Sequence, residues 1–251
     1  MPFFSSRKTK KNIAHSPVAA DYAFLGTDLH SHLLPGIDDG APDPDASLLL
    51  IRELMALGFN KLITTPHVIH DLHPNTRETI AAAMERLQAV LEREDIRIPF
   101  RAAAEYMADE YFEKLLGQKA LLTLDDEQKV LIEFSTIAPP LDAPRLLFDI
   151  QMKGYLPVLA HPERYRYWHK HPSELERIKN AGAFLQVNLT SLAGFHGKSV
   201  EKTAWWLVRQ GWVDFLATDL HHERHLQALR AFRKDGGWRE LQQHGFLNKM
   251  L

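Results

Sequence analysis

Thr27-Asp28-Leu29-His30-Ser31-His32-Leu33-Leu34-Pro35-Gly36-Ile37-Asp38-Asp39-Gly40 is the stretch from which the rest of the chain is read. It follows an apolar run, Tyr22–Leu25, that reads as a short buried strand. On an extended backbone residues i and i+2 face the same side, so His30 and His32 can meet one metal ion. Pro35 and Gly36 break the strand, and the loop carries Asp38 and Asp39 back toward the imidazoles. Two imidazoles and a carboxylate suit zinc, manganese or iron better than calcium, which prefers oxygen shells. The plainer reading, a surface loop holding two histidines, has to be weighed against the remaining chain.

Downstream, β-rich runs alternate with amphipathic segments. Asp43–Gly58 reads as a helix capped by Asp43 or Asp45 and stopped by Gly58. Lys61–Thr65 is a short strand with His67 just past its end. His70 and His73 follow at three-residue spacing, but Pro66 and Pro74 argue for a loop, with both rings solvated or at a rim. Asn75–Arg93 reads as a helix, Arg101–Glu105 as a strand ending in Glu105, and Asp109–Leu116 as a short helix. Lys129–Phe134 is a strand with Glu133 inside an apolar run, where an unpaired carboxylate is costly. Helix Asp142–Lys153 leads to strand Leu156–Ala160 and His161-Pro162-Glu163-Arg164. Helix Ser173–Ala181 carries a Ser173/Glu176 capping box, and Phe184–Asn188 is the next strand. Gly194-Phe195-His196-Gly197-Lys198-Ser199 is like a phosphate loop but lacks the first glycine at Leu192, so it reads as a loop before helix Val200–Arg209. Phe215–Thr218 is the last strand, closed by Asp219-Leu220-His221, and two helical segments finish the chain.

Seven such β-runs in 251 residues, with no compositional break, imply an α/β fold with a parallel sheet, closed into a barrel rather than left open. Residues 22–251 read as one domain, preceded by a loose basic tail over 1–21. A net charge of −2 gives no field to attract nucleic acid or an anionic membrane. No run reaches the roughly 20 apolar residues of a membrane span, and no apolar segment follows the N-terminal lysines as a secretory signal requires; the expected location is the cytoplasm. The absence of cysteine excludes a thiolate nucleophile, and 14 histidines stand against that absence.

In a β/α barrel the strand C-termini gather at one face, where such folds build their sites. His30, His32, Asp39, His67, Glu105, Glu133, His161, Asp219 and His221 all stand at or just beyond such ends. A lone histidine there is usually structural. Nine imidazoles and carboxylates together would repel or stay unsatisfied without cations between them. Two or three ions, with Glu105 bridging, can clamp a phosphoryl oxygen and generate hydroxide near neutral pH. Arg164 is placed to grip phosphate oxygens with its planar fork, and Arg224 is a second candidate.

The ordered set Asp28–His32, Ile37–Gly40, Thr64–His67, Ala104–Tyr106, Ile132–Ser135, Ala160–Tyr165, Gln186–Asn188 and Ala217–His221 resembles the polymerase-and-histidinol-phosphatase (PHP) superfamily. Within it the chain resembles the bacterial manganese-dependent protein-tyrosine phosphatases of capsule and exopolysaccharide operons. The resemblance implies a distorted seven-stranded β/α barrel of TIM-like type with three divalent metal ions, commonly manganese, with iron or zinc as other options. It implies His30, His32, Glu105 and Asp219 around one ion; Glu105, Glu133 and His161 around a second; and Asp39, His67 and His221 around a third. Asp39 rather than Asp38 is the matching position, and Arg164 would hold the phosphate. The family's second phosphate arginine stands slightly farther beyond the Asp-x-His motif than Arg224 does. The implied reaction is attack of a metal-bridging hydroxide on phosphotyrosine in the tail of a bacterial tyrosine kinase, with Asp219 or His221 protonating the leaving phenolate. A small-molecule phosphatase of histidinol-phosphate type and a non-catalytic metal-binding module are the alternatives. A metal-dependent amidohydrolase is disfavoured, because no lysine stands at a suitable strand end.

Overall fold

The structure is a computed structural model that describes residues 22–235 and 237–251. The expected basic tail lies outside the described residues. In chain order the elements are β1 (Thr27–Asp28), α1 (Pro44–Leu57), β2 (Lys61–Thr64), β3 (His67–Val68), α2 (Arg77–Arg93), β4 (Phe100–Ala102), β5 (Glu105–Met107), α3 (Glu110–Gln118), β6 (Lys129–Glu133), α4 (Ala143–Met152) and β7 (Leu156–Ala160). Then come α5 (Pro172–Asn180), β8 (Phe184–Asn188), α6 (Leu189–Leu192), α7 (Lys198–Arg209), β9 (Phe215–Ala217), α8 (Glu223–Asp235) and α9 (Trp238–Leu241). No described helix is long and apolar enough to cross a membrane.

Every strand pairing is parallel, and the ladders form two sheets: β1-β2-β4 and β3-β5-β6-β7-β8-β9. The expected parallel α/β architecture is present, while the ladders form separate sheets of three and six strands rather than one continuous ring of seven. The expected strands Lys61–Thr65 and Arg101–Glu105 are each interrupted. Pro66 has no N–H to give a ladder, and Thr65 N–H turns instead to Ser31 O at 2.7 Å. Ala103 N–H still reaches Thr64 O, and Glu105 N–H reaches Pro66 O, so β3 and β5 resume beyond the break. Tyr22–Leu25 forms a turn rather than a strand; Tyr22 O–H donates to Leu229 O at 3.0 Å.

Between β1 and β9, hydrogen bonds survive on the site side, where Asp219 N–H reaches His30 O and His32 N–H reaches Leu220 O. At the far end Asn248 fills the gap. Its amide donates to Thr27 O and Leu216 O and accepts from Leu216 N–H, as a strand would. Lys61 Nζ meets the Leu251 terminus beside it.

Helix ends follow local chemistry. Asp43 accepts from Ala46 N–H at the start of α1, and Gly58, at φ 107°, ends it in the left-handed region that glycine tolerates. The predicted Ser173/Glu176 box is absent: α5 begins one residue earlier on Pro172, whose missing N–H suits a first helical turn.

The strand interiors explain where the site sits. One buried cluster, including Leu29, Ile63, Ala103, Leu131, Val158, Ala160, Phe215 and Ala217, is enclosed by the sheets. Side chains repeat every two residues along a strand. Two positions beyond Ala103, Leu131 and Ala217, the same inward track carries Glu105, Glu133 and Asp219. On β8 the track runs Phe184, Gln186, Asn188. The interior is thus apolar at one end and carboxylate- and amide-lined at the other.

Candidate metal centre

All nine predicted metal-type residues converge at that polar end. Glu105 is central: its Oε2 lies 3.1 Å from His30 Nε2, 3.5 Å from His32 Nε2 and 3.0 Å from His67 Nδ1, while Oε1 lies 2.9 Å from His161 Nε2. Asp219 Oδ1 is 3.3 Å from His30 Nε2 and 3.5 Å from both His32 Nε2 and His221 Nδ1. Glu133 approaches His67 at 3.2 Å and His161 at 3.8 Å. Asp39 closes the outer side, 3.6 Å from His67 Nε2 and 3.4 Å from His221 Nε2. The ligand-type atoms fall into four overlapping groups: His32/Asp39/His67/His221, His30/His161/Asp219, His30/His32/Glu105 and His67/Glu105/Glu133. His67 belongs to two of them, with one nitrogen toward Asp39 and the other toward the two glutamates.

This donor set fits divalent cations. Glu105 Oε2, Glu133 Oε1 and Asp219 Oδ1 are buried and receive no hydrogen bond, although each is close to imidazole nitrogen. Buried carboxylate oxygens without donors are costly unless a cation meets them. The electrostatics say the same. Burial would raise the Glu105 carboxyl, but His30 and His67 outweigh it and hold the group well below its usual range. Burial and His32 oppose charge on His67, yet Glu105 and Glu133 hold its imidazole up to about 10. Carboxylates that pull protons onto imidazoles this strongly supply the negative field that a metal ion would replace those protons to occupy.

A second layer, partly missed in the sequence, aims the imidazoles. Gln186 Oε1 can only accept, so His30 donates from Nδ1 at 2.8 Å and presents Nε2 to Glu105 and Asp219. Gln186 Nε2 donates to Asn188 Oδ1 at 2.8 Å, and Asn188 Nδ2 donates to Asp219 Oδ2 at 2.6 Å. The sixth expected strand, which offered no ligand type, thus supplies the link between two ligand candidates. His221 Nδ1 donates to the Asp219 carbonyl at 3.0 Å, freeing Nε2 for Asp39.

The aspartate pair separates cleanly. The Asp38 side chain is fully buried and accepts from His32 Nδ1 at 2.7 Å, His67 N–H at 3.1 Å and Gly40 N–H at 3.0 Å. Burial opposes its charge, but His32 and these donors hold it at about 2. Asp39 is 61% exposed at the pocket edge, with a free oxygen toward two imidazoles. Asp38 orients, and Asp39 faces the centre. Asp38→Asn removes the negative charge and puts an amide NH2 against at least one of these donors, and should weaken metal affinity about 10–100-fold, measured by metal titration of the chelated protein. An unchanged affinity contradicts this role.

Two of the nine sit on strained backbone: His161 at φ 35° and Asp219 at φ 50°. Non-glycine residues hold this region only where surroundings enforce it. Tyr165 does so at the first, its hydroxyl donating to Ala160 O and accepting from Phe134 N–H. Arg164 follows on the next turn, its guanidinium donating to Asp219 Oδ2 at 3.0 Å and lining the cleft above the cluster.

Arg224 is not brought to the site. It is absent from the cleft wall, and its guanidinium lies 5.8 Å from the Phe195 ring centroid. His73, His196, His222 and His225 line the cleft instead, and His70 stacks on Tyr111.

The profile of a family described as "Capsular polysaccharide synthesis, CpsB/CapC" matches residues 26–230. The chain belongs to the CpsB/CapC family. It is 35% identical over 215 residues to the tyrosine-protein phosphatase YwqE of Bacillus subtilis, covering 84% of this chain and 85% of that protein. It is 28% identical over 202 residues to the tyrosine-protein phosphatase CpsB of Streptococcus agalactiae serotype V, covering 78% and 82%. A chain from the crystal structures of YwqE from Bacillus subtilis and CpsB from Streptococcus pneumoniae, described as metal-dependent tyrosine phosphatases, superposes with a TM-score of 0.75 at 34% identity, covering 84% of this chain and 87% of that one. The CpsB/CapC match spans the whole strand series from β1 to β9, and with it all nine clustered residues.

Proposed function

We propose that this chain is a metal-dependent protein-tyrosine phosphatase, acting in the cytoplasm on the phosphotyrosine tail of a tyrosine kinase that controls capsule or exopolysaccharide synthesis. The observation that carries the metal site is the convergence of five imidazoles and four carboxylates with three buried carboxylate oxygens lacking donors. The substrate follows from the phosphatase relatives and from the cleft. Nine donors suit about three ions, and manganese is the reading we favour. His30, His32, Glu105 and Asp219 would hold one ion; Glu105, Glu133 and His161 a second; Asp39, His67 and His221 a third. The interrupted runs β2–β3 and β4–β5 are read as single bent strands, which makes seven, joined into a distorted barrel through the Ser31–Leu220 bridge.

When bound, divalent cations supply a water acidic enough to deprotonate near neutral pH and positive charge against the phosphoryl oxygens. The chain supplies the rest. Arg164 presents its fork to the phosphoryl group and is kept in place by Asp219. The cleft, about 500 Å³, is polar at its floor. Its mouth carries Leu72 and Ile137, 72% and 92% exposed, with Met107 and Phe134 in the wall. Such apolar surface beside an anion site suits an aryl ring and its peptide flanks better than a polar small molecule. Tyrosine is a tolerable leaving group, with a pKa of about 10. Burial opposes charge on Asp219, but His30, His221 and Arg164 hold it well below the usual carboxylate range, so of the two candidates His221, on the cleft wall, is the proposed proton donor.

Metal-loaded protein should hydrolyse phosphotyrosyl peptides with a kcat/KM about 10²-fold or more above that for histidinol phosphate. The reverse order assigns the small-molecule reading, and an inert metal-loaded protein assigns the binding module.

A further inference from the structure

Among the described residues the cleft wall offers an anion no guanidinium or ammonium besides Arg164, but it holds four histidines outside the nine. Of these, His225 is buried to all but 6% of its surface. It stands in the first turn of α8, just after His222, which precedes the helix and accepts the His225 N–H at its carbonyl, while Arg224 is turned about 100° away from His225. The rings show that split. His225 packs 4.2 Å from His222, 5.6 Å from His221 and 6.2 Å from His196. Arg224 lies against Phe195, which is T-stacked on His225 at 4.6 Å.

The proton on His225 can be placed. Its Nδ1 accepts the backbone N–H of His221 at 3.3 Å, so that nitrogen carries a lone pair and the ring proton is on Nε2. Nε2 has no hydrogen-bond partner among the described residues. His225 lines the cleft, so this donor, with no protein acceptor, is open to a ligand oxygen there. The neighbouring His196 ring carries an Nε2 that is buried and without a hydrogen-bond partner.

We propose that His225 donates its Nε2–H to a non-bridging phosphoryl oxygen of the bound phosphate monoester, next to Arg164, and that Arg224 takes no part in anion binding. This rests on the phosphatase reading for its substrate but not for its geometry, since inorganic phosphate offers the same oxygens. A neutral imidazole placed by a backbone N–H gives a directional donor with no added charge, which leaves the product dianion less tightly held than a second guanidinium would.

The test is calorimetric titration of inorganic phosphate into metal-loaded full-length protein, with metal content measured on each sample. His225→Phe keeps an aromatic ring of similar shape and removes the donor; His225→Gln restores an N–H near Nε2. The expected result is a Kd for phosphate raised about tenfold or more in His225→Phe, largely recovered in His225→Gln, and within about twofold of wild type in Arg224→Ala, all at wild-type metal content. The inference is overturned by a His225→Phe Kd within twofold of wild type, by wild-type protein that binds no phosphate, by a tenfold loss in Arg224→Ala, or by both His225 variants losing metal along with phosphate. Phosphotyrosyl-peptide hydrolysis by wild type is scored separately: its absence, with phosphate binding intact and dependent on His225, removes the phosphatase reading and leaves this contact standing.

Discussion

Replacing Glu105 with alanine will remove at least one metal ion and lower phosphotyrosyl-peptide turnover by about 10³-fold or more. Among the described residues Glu105 is the only carboxylate within 3.5 Å of four of the clustered imidazoles, those of His30, His32, His67 and His161. Its two oxygens point to different histidines, the arrangement expected of a group shared between neighbouring ions. Taking it away removes a donor from two of the four ligand groups, His30/His32/Glu105 and His67/Glu105/Glu133. Losing several kcal/mol of charge stabilisation in the transition state corresponds to the stated rate loss. Glu105→Gln separates charge from packing, because the amide keeps the shape and loses the anion. Elemental analysis should find fewer ions in both variants. A wild-type ion count in Glu105→Ala contradicts the shared role.

Arg164→Ala is expected to lower kcat/KM about 10²–10³-fold while leaving the metal content unchanged. The separation follows from the bonds around Asp219. Its Oδ2 accepts from both Arg164 and Asn188, so loss of the guanidinium leaves the 2.6 Å Asn188 contact to hold the carboxylate. Arg164→Lys should recover little, because an ammonium lacks the planar fork that meets two phosphoryl oxygens at once. Steady-state kinetics on a phosphotyrosyl peptide, with metal content measured in parallel, reads the effect. A loss under threefold, or one that tracks lost metal, removes Arg164 from the phosphate-binding role.

The metal-type residues were legible in the sequence because they obey one-dimensional rules. Glu105, Glu133 and Asp219 each lie two positions beyond a small or aliphatic strand residue, and the alternation of a strand carries that inward track to the site. What escaped was set by the third dimension. Asp38 and Asp39 are adjacent in sequence and chemically identical; only burial and three donors identify Asp38 as the orienting group. Gln186 and Asn188 are amides rather than metal-ligand types, so their residue type does not reveal that the inward track of β8 runs to Asp219. Arg224 looked well placed three residues past His221, but one helical step rotates it away and brings His225 in. The breaks between β2 and β3 and between β4 and β5 depend on where neighbouring carbonyls lie, which a window of residues does not contain. Pro66 signalled the first break; the second, at Ala103 and Ala104, carries no local signal.

The claim beneath all of this is that side chains drawn from separate strand ends share one rim because cations bind between them. The most direct measurement is metal content together with phosphotyrosyl-peptide turnover, taken on the purified protein, after chelation, and after reloading with manganese. The account predicts about three ions per chain at full activity, loss of turnover as the ions leave, and its return with manganese. Full turnover by chelated protein shown to be metal-free would contradict it.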